Sequence, residues 1–195
     1  MTDTRRDVFA AILAAGSSTR FGSTKQVAEL GGTPLVRHAT AAAQQVCGEN
    51  VLTVIGHDMA RVLAVLGDDS GFVVVNDDHA TGLASSIVRA VNACRSDAAA
   101  LFVLLADQAL VTAAHLQCLL EEWSGSDDEI VATAYDGTAG PPVLFASGTF
   151  ADLTALQGDT GARALFDDER FVLKTVPFEP ASVDIDTPAD LAALT

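Results

Sequence analysis

Short apolar runs rich in β-branched residues recur at Val8–Leu13, Val51–Ile55, Phe72–Val75, Ala99–Leu105 and Ile130–Ala134. Runs of this length, apolar throughout, predict buried strands. Between them lie alanine-rich segments with helical spacing: Pro34–Val46, Met59–Leu66, Leu83–Cys94 and Ala113–Trp123. Pro34 suits a first helical turn, where its missing N–H would be unpaired in any case. Strand and helix alternate, which predicts an α/β fold: a mostly parallel central sheet with helices on both faces. The later part is less regular. Pro141–Phe145 predicts a strand with its prolines at the entrance or on an edge, because proline cannot donate to a ladder. Phe150–Leu156 and Gly161–Phe166 read as helical, and Phe171–Val176 as a strand. Asp190–Leu194 belongs to a short helix that begins near Pro188. No internal repeat or linker stands out, so residues 1–195 are expected to form a single domain.

Composition narrows the function. The chain has 195 residues, 49% of them hydrophobic, enough for one core. Lys and Arg number 11 against 26 Asp and Glu, a net charge of −15. Nucleic acid is disfavoured as a partner, because a phosphate backbone needs a broad basic face. A small phosphorylated ligand needs only a local cluster of cations or a bound metal. Cys47, Cys94 and Cys118 are widely spaced and odd in number, which argues against a disulfide framework. His38, His57, His79 and His115 are scattered and outline no zinc site. A reducing cytoplasm is the expected location. The segment from Thr4 through Arg5 and Arg6 to Phe9 resembles a twin-arginine export signal, but the apolar stretch behind it is short and meets Arg20 soon after. It reads as a buried first strand. No run approaches the ~20 apolar residues of a membrane helix.

One loop breaks the acidic pattern. Leu13, Ala14, Ala15, Gly16, Ser17, Ser18, Thr19, Arg20, Phe21, Gly22, Ser23, Thr24 and Lys25 follow the first apolar run with two cations and no acid. Small residues let backbone N–H groups approach an anion closely, and fixed cations complete the cradle. The loop matches neither the Walker pattern nor the dinucleotide fingerprint. It is therefore a phosphate cradle of another kind or an ordinary flexible turn.

Three further constellations carry chemistry. Asp107 directly follows a buried run, at the carboxyl edge where open α/β sheets bind ligands. It either holds Mg2+ against nucleotide phosphates or caps the next helix, for which Thr112 is already a good cap. Asp184 and Asp186 flank Ile185 and share a face in extended chain, so Asp186 could reach the same metal; capping by Asp186 or Thr187 before Pro188 is the alternative. Gly82, Leu83, Ala84, Ser85 and Ser86 open a helix whose free N–H groups could receive an anion or a base edge. Gly158, Asp159, Thr160, Gly161, Ala162 and Arg163 make a second such start, with Arg163 a candidate for an acceptor phosphate or a plain surface cation. No Gly-x-Ser-x-Gly or placed histidine suggests a nucleophile with its base. The sum favours metal-assisted phosphate chemistry.

Taken together, these segments resemble the molybdenum-cofactor nucleotidyltransferase family, in particular its cytidylyltransferase branch. The residues from Leu13 to Gly22 with Lys25 look like the family's nucleotide loop, and Leu105-Ala106-Asp107-Gln108 like its metal-binding turn. Gly158 to Arg163 resembles the acceptor-side segment, and Asp184 to Pro188 the C-terminal metal motif. Asn76 with Gly82 to Ser86 matches a segment near the base and sugar. The resemblance implies a Rossmann-like nucleotidyltransferase fold. It implies transfer of CMP from CTP to the terminal phosphate of molybdenum cofactor, with release of pyrophosphate. Arg20, Lys25 and Asp107 would be catalytic, Asp107 and Asp186 would hold Mg2+, and Gly158, Asp159, Gly161 and Arg163 would meet the acceptor. Leu13, Ala14, Ala15, Gly16, Ser17, Ser18, Arg20, Gly22, Lys25, Asn76, Gly82, Ser85 and Ser86 would bind the nucleotide. Ala14-Ala15-Gly16 resembles the cytidine-using branch, where the guanosine-using branch typically has two glycines. Ala109 stands where the family often has proline, Pro141 occupies a variable position, and Val27 replaces a common leucine. A molybdoenzyme or maturation factor is a possible partner. The rival readings are a transferase with another nucleotide or phosphorylated acceptor, and a non-catalytic carrier of the cofactor.

Overall fold

The computed structural model describes residues 7–67 and 71–194. The chain forms β1 (Val8–Ala14), the hairpin β2 (Glu29–Leu30) and β3 (Thr33–Pro34), α1 (Leu35–Cys47), β4 (Val51–Ile55), α2 (Met59–Leu66) and β5 (Phe72–Val75). There follow α3 (Leu83–Ala93), β6 (Ala100–Leu105), α4 (Ala113–Glu122), β7 (Glu129–Tyr135), β8 (Thr138–Ala146), α5 (Phe150–Thr154), β9 (Val172–Pro177) and α6 (Pro188–Ala192). Among the described residues the main sheet has seven strands in the order β5-β4-β1-β6-β8-β7-β9. All neighbours pair in parallel except β8, which runs antiparallel to both β6 and β7. The α/β architecture is thus as the alternation predicts. No helix among the described residues is long and apolar enough to cross a membrane.

Side-chain alternation in β1 explains the two layers. Val8, Ala10, Ile12 and Ala14 point into one core, with Val36, Ala39 and Ala43 of α1, Val62 and Leu66 of α2 and Leu116 and Leu119 of α4. Phe9, Ala11 and Leu13 point into the other, with Ile87 and Ala90 of α3 and Leu153 of α5. A strand with core on both sides must be apolar at every position, which is why Val8–Ala14 shows no polar alternation.

Several expected boundaries shift. Pro34 ends β3 and stands as the residue before α1, not inside its first turn. The 161–166 segment is a 3-10 turn, Ala162–Leu165, too short for an α-helix. The two-residue strands β2 and β3 were not foreseen. Thr4, Arg5 and Arg6 of the export-like segment lie outside the described residues, while Val8 and Phe9 begin β1.

The largest correction concerns β8. It lies inside the sheet, and Pro141 and Pro142 sit in its middle rather than at an entrance or edge. The ladder passes them over: Ala132 pairs with Val143 and the next residue, Thr133, pairs with Gly140. A bulge of this kind relieves the chain of the hydrogen bonds that proline cannot give. The Thr133 hydroxyl donates to the Pro142 carbonyl at 2.7 Å, and its oxygen also lies 2.8 Å from His115 Nε2. His115 stacks on Phe178 with ring centroids 4.2 Å apart.

Burial pulls the His115 pKa down to about 4. In the unfolded chain it protonates near 6.5, so between those values the unfolded state binds the extra proton. The stability contributed by neutral His115 is present above that upper value and is lost as pH falls through the lower one. Urea unfolding from pH 7 to pH 4 should show this decline in the wild type and a flatter profile in His115→Gln. Parallel profiles would contradict the assignment.

Candidate functional site

The strand order turns at β1, with β4 on one side and β6 on the other. Loops that leave the carboxyl ends of such strands diverge and leave a crevice. Leu13 of β1 pairs with Leu105 of β6, so the two ends are level. Above them opens a cleft of about 570 Å³.

The loop after β1 is held in shape by its own side chains. Gln26 is 3% exposed. Its Nε2 donates to the Gly16 carbonyl at 2.9 Å, and its Oε1 accepts from the Ser18 hydroxyl at 3.1 Å. Ser18 and Gly22 adopt positive φ values, 53° and 77°, which turn the chain back on itself. Thr24, 4% exposed, donates its hydroxyl to Asp58, which also pairs with Arg61. Lys25 therefore sits between two buried, hydrogen-bonded neighbours. Gln26 escaped the sequence reading; its only signal was a polar residue directly after the loop cation.

Lys25 is the hub of the site. Its ammonium lies 2.5 Å from Asp107 Oδ2 and 2.8 Å from Asp186 Oδ1. Arg20 Nη1 approaches Asp186 Oδ2 at 2.7 Å from an exposed position. Burial works against the charged form of Lys25, but Asp107 and Asp186 outweigh it and hold its pKa above the ordinary lysine value. Asp184 is pushed up to about 6 by burial and by the Asp107 and Asp186 carboxylates.

Neither Asp107 nor Asp186 caps a helix, while the cap expected of Thr187 forms. Thr112 caps α4, accepting from the His115 N–H at 3.2 Å. Thr187 and Asp190 form a reciprocal capping box on α6, and Asp190 also accepts the Asp186 N–H at 3.1 Å. The Asp107 and Asp186 carboxylates are thereby left for the cleft. Ala109 packs with Leu35 and Ile185 in a small core beneath them.

The carboxylate pair suits a divalent cation. Asp107 Oδ1 is buried without a hydrogen-bond partner. Among the described residues no group of three or more His, Cys, Asp or Glu forms a complete cage. Two carboxylates completed by water and ligand phosphates are a usual arrangement for Mg2+.

The remaining candidates divide into lining and supporting residues. Leu13, Ala15, Gly16, Ser17, Ser18, Gly82, Ser86 and Asp159 line the cleft with Arg20, Lys25, Asp107 and Asp186. Ala14, Gly22, Asn76, Ser85, Gly158 and Gly161 do not. Fully buried Asn76 donates to the Ser85 and Ser86 hydroxyls at 2.9 and 3.0 Å, which fixes the start of α3. Gly82, at φ 118°, presses against the Gly158 backbone so closely that a Cβ has no room. The Ala84 N–H donates to the Gly158 carbonyl at 3.1 Å, and this docking carries Asp159 to the cleft. Arg163 departs from expectation: its guanidinium is engaged by the Ala139 carbonyl at 2.5 Å and Thr138 Oγ1 at 3.0 Å, at the start of β8 and off the cleft lining. Thr19, Gln26, His79, Ala80, Leu83, Leu105 and Ala106 complete the lining; of these, Gln26, His79 and Ala80 fall outside the expected motifs.

The architecture has known counterparts. A family model described as MobA-like NTP transferase domain matches residues 10–174. A mycobacterial homologue of Rv0371c, from Mycobacterium sp. strain JC1, is 29% identical, with a TM-score of 0.85 over 97% of this chain and 98% of that one. Rv0371c of Mycobacterium tuberculosis H37Rv, solved in complex with manganese, is 25% identical with a TM-score of 0.80, over 96% of this chain and 97% of that one. The bifunctional protein GlmU of Bacillus cytotoxicus is 29% identical over 136 residues, which are 68% of this chain. The chain spans 29% of the length of that curated relative.

Gln26→Leu keeps the packing but removes the clamp on Gly16 and Ser18. Amide hydrogen exchange in the loop after β1 should accelerate about tenfold, the equivalent of one lost net hydrogen bond. Unchanged exchange there would show that the loop holds its shape without Gln26.

Proposed function

The chain belongs to the MobA-like NTP transferase family, and on that premise we propose that it transfers CMP from CTP to the terminal phosphate of molybdenum cofactor. The observation that carries this reading is Lys25 bridging Asp107 and Asp186 beneath the small-residue loop. It joins an anion cradle to a carboxylate pair, the two parts that nucleotidyl transfer requires.

An oxygen of the acceptor phosphate attacks the α-phosphorus of the nucleotide. A new P–O bond forms, the bond to the oxygen bridging the α and β phosphates breaks, and pyrophosphate leaves with that electron pair. The attacking phosphate is already anionic, so no general base is required. Arg20 and Lys25 bind the triphosphate and offset the charge that develops on the leaving group. Arg20 is suited to this because its side chain is 75% exposed and able to reorient. Asp107 and Asp186 would hold Mg2+, which when bound neutralises phosphate charge and orients the attack. The loop backbone from Ala15 to Ser18 supplies N–H donors to the phosphates. Asn76, Ser85 and Ser86 keep the start of α3 in place, and Asp159 marks the acceptor side.

The Ala14-Ala15-Gly16 sequence supports CTP, and the ordered set of motifs supports molybdenum cofactor as acceptor. Pyrophosphate release with Mg2+ across the four nucleoside triphosphates tests both. Each is offered with molybdenum cofactor, a sugar phosphate, an alcohol phosphate or no acceptor. CTP with molybdenum cofactor should give the highest turnover. Asp107→Ala should lower that turnover by about a hundredfold or more. Highest turnover with another acceptor would reassign the substrate, and cofactor binding without any pyrophosphate release would favour a carrier. Unchanged turnover in Asp107→Ala would remove the metal assignment.

A further inference from the structure

The strand order lays out the cleft from end to end. Along the carboxyl edge of the sheet the sequence is β6, β1, β4, β5. Asp107 follows β6, the small-residue loop follows β1, Gly56 and His57 follow β4, and the segment from Asn76 to Gly82 follows β5. His79 comes from that last segment but leans inward over the end of β4. A Cβ placed on Gly56 would lie 2.8 Å from the His79 Cβ and 2.9 Å from its ring carbons Cγ and Cδ2. The bare backbone of Gly56 is thus the seat on which the imidazole rests. Neighbouring strands are about 4.8 Å apart, so two strand steps, roughly 10 Å, separate the Asp107 end from this seat.

Arg20, Lys25, Asp107 and Asp186 occupy the near end and would take the phosphates. What lies at the far end must then take the sugar and base. The lining includes Ala15 and Gly16 of the loop, Gly82 and Leu83 at the start of α3, and His79. The His57 N–H donates to the Ala15 carbonyl at 3.1 Å, which ties the end of β4 to the loop wall. The His57 and His79 rings meet edge to face with centroids 6.0 Å apart. The His79 ring is therefore placed from two sides while still reaching the cleft. Among the described residues its nitrogens have no hydrogen-bond partner.

We propose that His79 is a specificity residue: its imidazole, seated on Gly56, hydrogen-bonds the nucleobase across the cleft from Ala15 and Gly16 and sets which nucleotide is preferred. This rests on the nucleotidyl-transfer reading and adds to it the group that reads the base. His79 takes no part in the bond-making step. An imidazole offers one donor or acceptor at a fixed place on the base edge, and a mismatched base leaves that group unpaired.

Calorimetric binding of non-hydrolysable analogues of the four nucleoside triphosphates, with Mg2+, tests this in the full chain. Inorganic tripolyphosphate serves as a probe of the phosphate end alone. The wild type should prefer one base. His79→Ala and His79→Phe should each reduce that preference about tenfold, the equivalent of one lost hydrogen bond, while tripolyphosphate binding stays unchanged. Gly56→Ala, which displaces the ring, should give the same loss. Equal affinity of the wild type for all four analogues would overturn the proposal. So would an undiminished preference in His79→Ala or His79→Phe. Wild-type protein that binds neither analogues nor tripolyphosphate would overturn the nucleotidyl-transfer reading itself.

Discussion

The arrangement depends on one ammonium group between two carboxylates. Lys25 comes from the loop after β1, Asp107 from the end of β6, and Asp186 from the segment before α6. Three distant parts of the chain are thereby fixed at one point. Two carboxylates this close would repel each other and lose hydration; the shared cation offsets both costs. The pairing is possible because β1 and β6 end level, Leu13 opposite Leu105. A one-residue slip would also turn the side chains of β1 to the opposite cores.

Around that pairing the fold supplies rigid supports. Gln26 and Thr24 fix the loop on either side of Lys25, and Thr112 and Thr187 cap the helices that the two aspartates would otherwise serve. Asn76 locks Ser85 and Ser86, and Gly82 admits the Gly158 backbone. Of these residues Gln26, Gly82 and Ser86 line the cleft, and the others hold the segments around it. A site of this kind acts through position and charge, so the supports matter as much as the charged groups.

Much of this was legible in the sequence, for physical reasons. Val8–Leu13 announced a doubly covered strand because burial on both faces demands an uninterrupted apolar run. The place of Asp107 at the cleft was legible because a carboxylate straight after such a strand lies at the carboxyl edge of the sheet. Other features were not. Pro141 and Pro142 argued for an edge, and only the bulge opposite Thr133 permits them an interior place. Arg163 looked free to reach an acceptor, but the carbonyl and hydroxyl at the start of β8 engage it. Gln26 and His79 depend on the loop folding back and on Gly56 lying beneath a ring from another strand, and local pattern does not encode such contacts.

The central claim is that Asp107 and Asp186 form one cation site which Lys25 shares with the phosphates. Anomalous diffraction from crystals grown with Mn2+ and a non-hydrolysable CTP analogue tests it directly. The account predicts a manganese peak bound by both carboxylates, with the Lys25 ammonium turned to a phosphate oxygen. A peak bound to neither carboxylate, with Lys25 still bridging them, would contradict it.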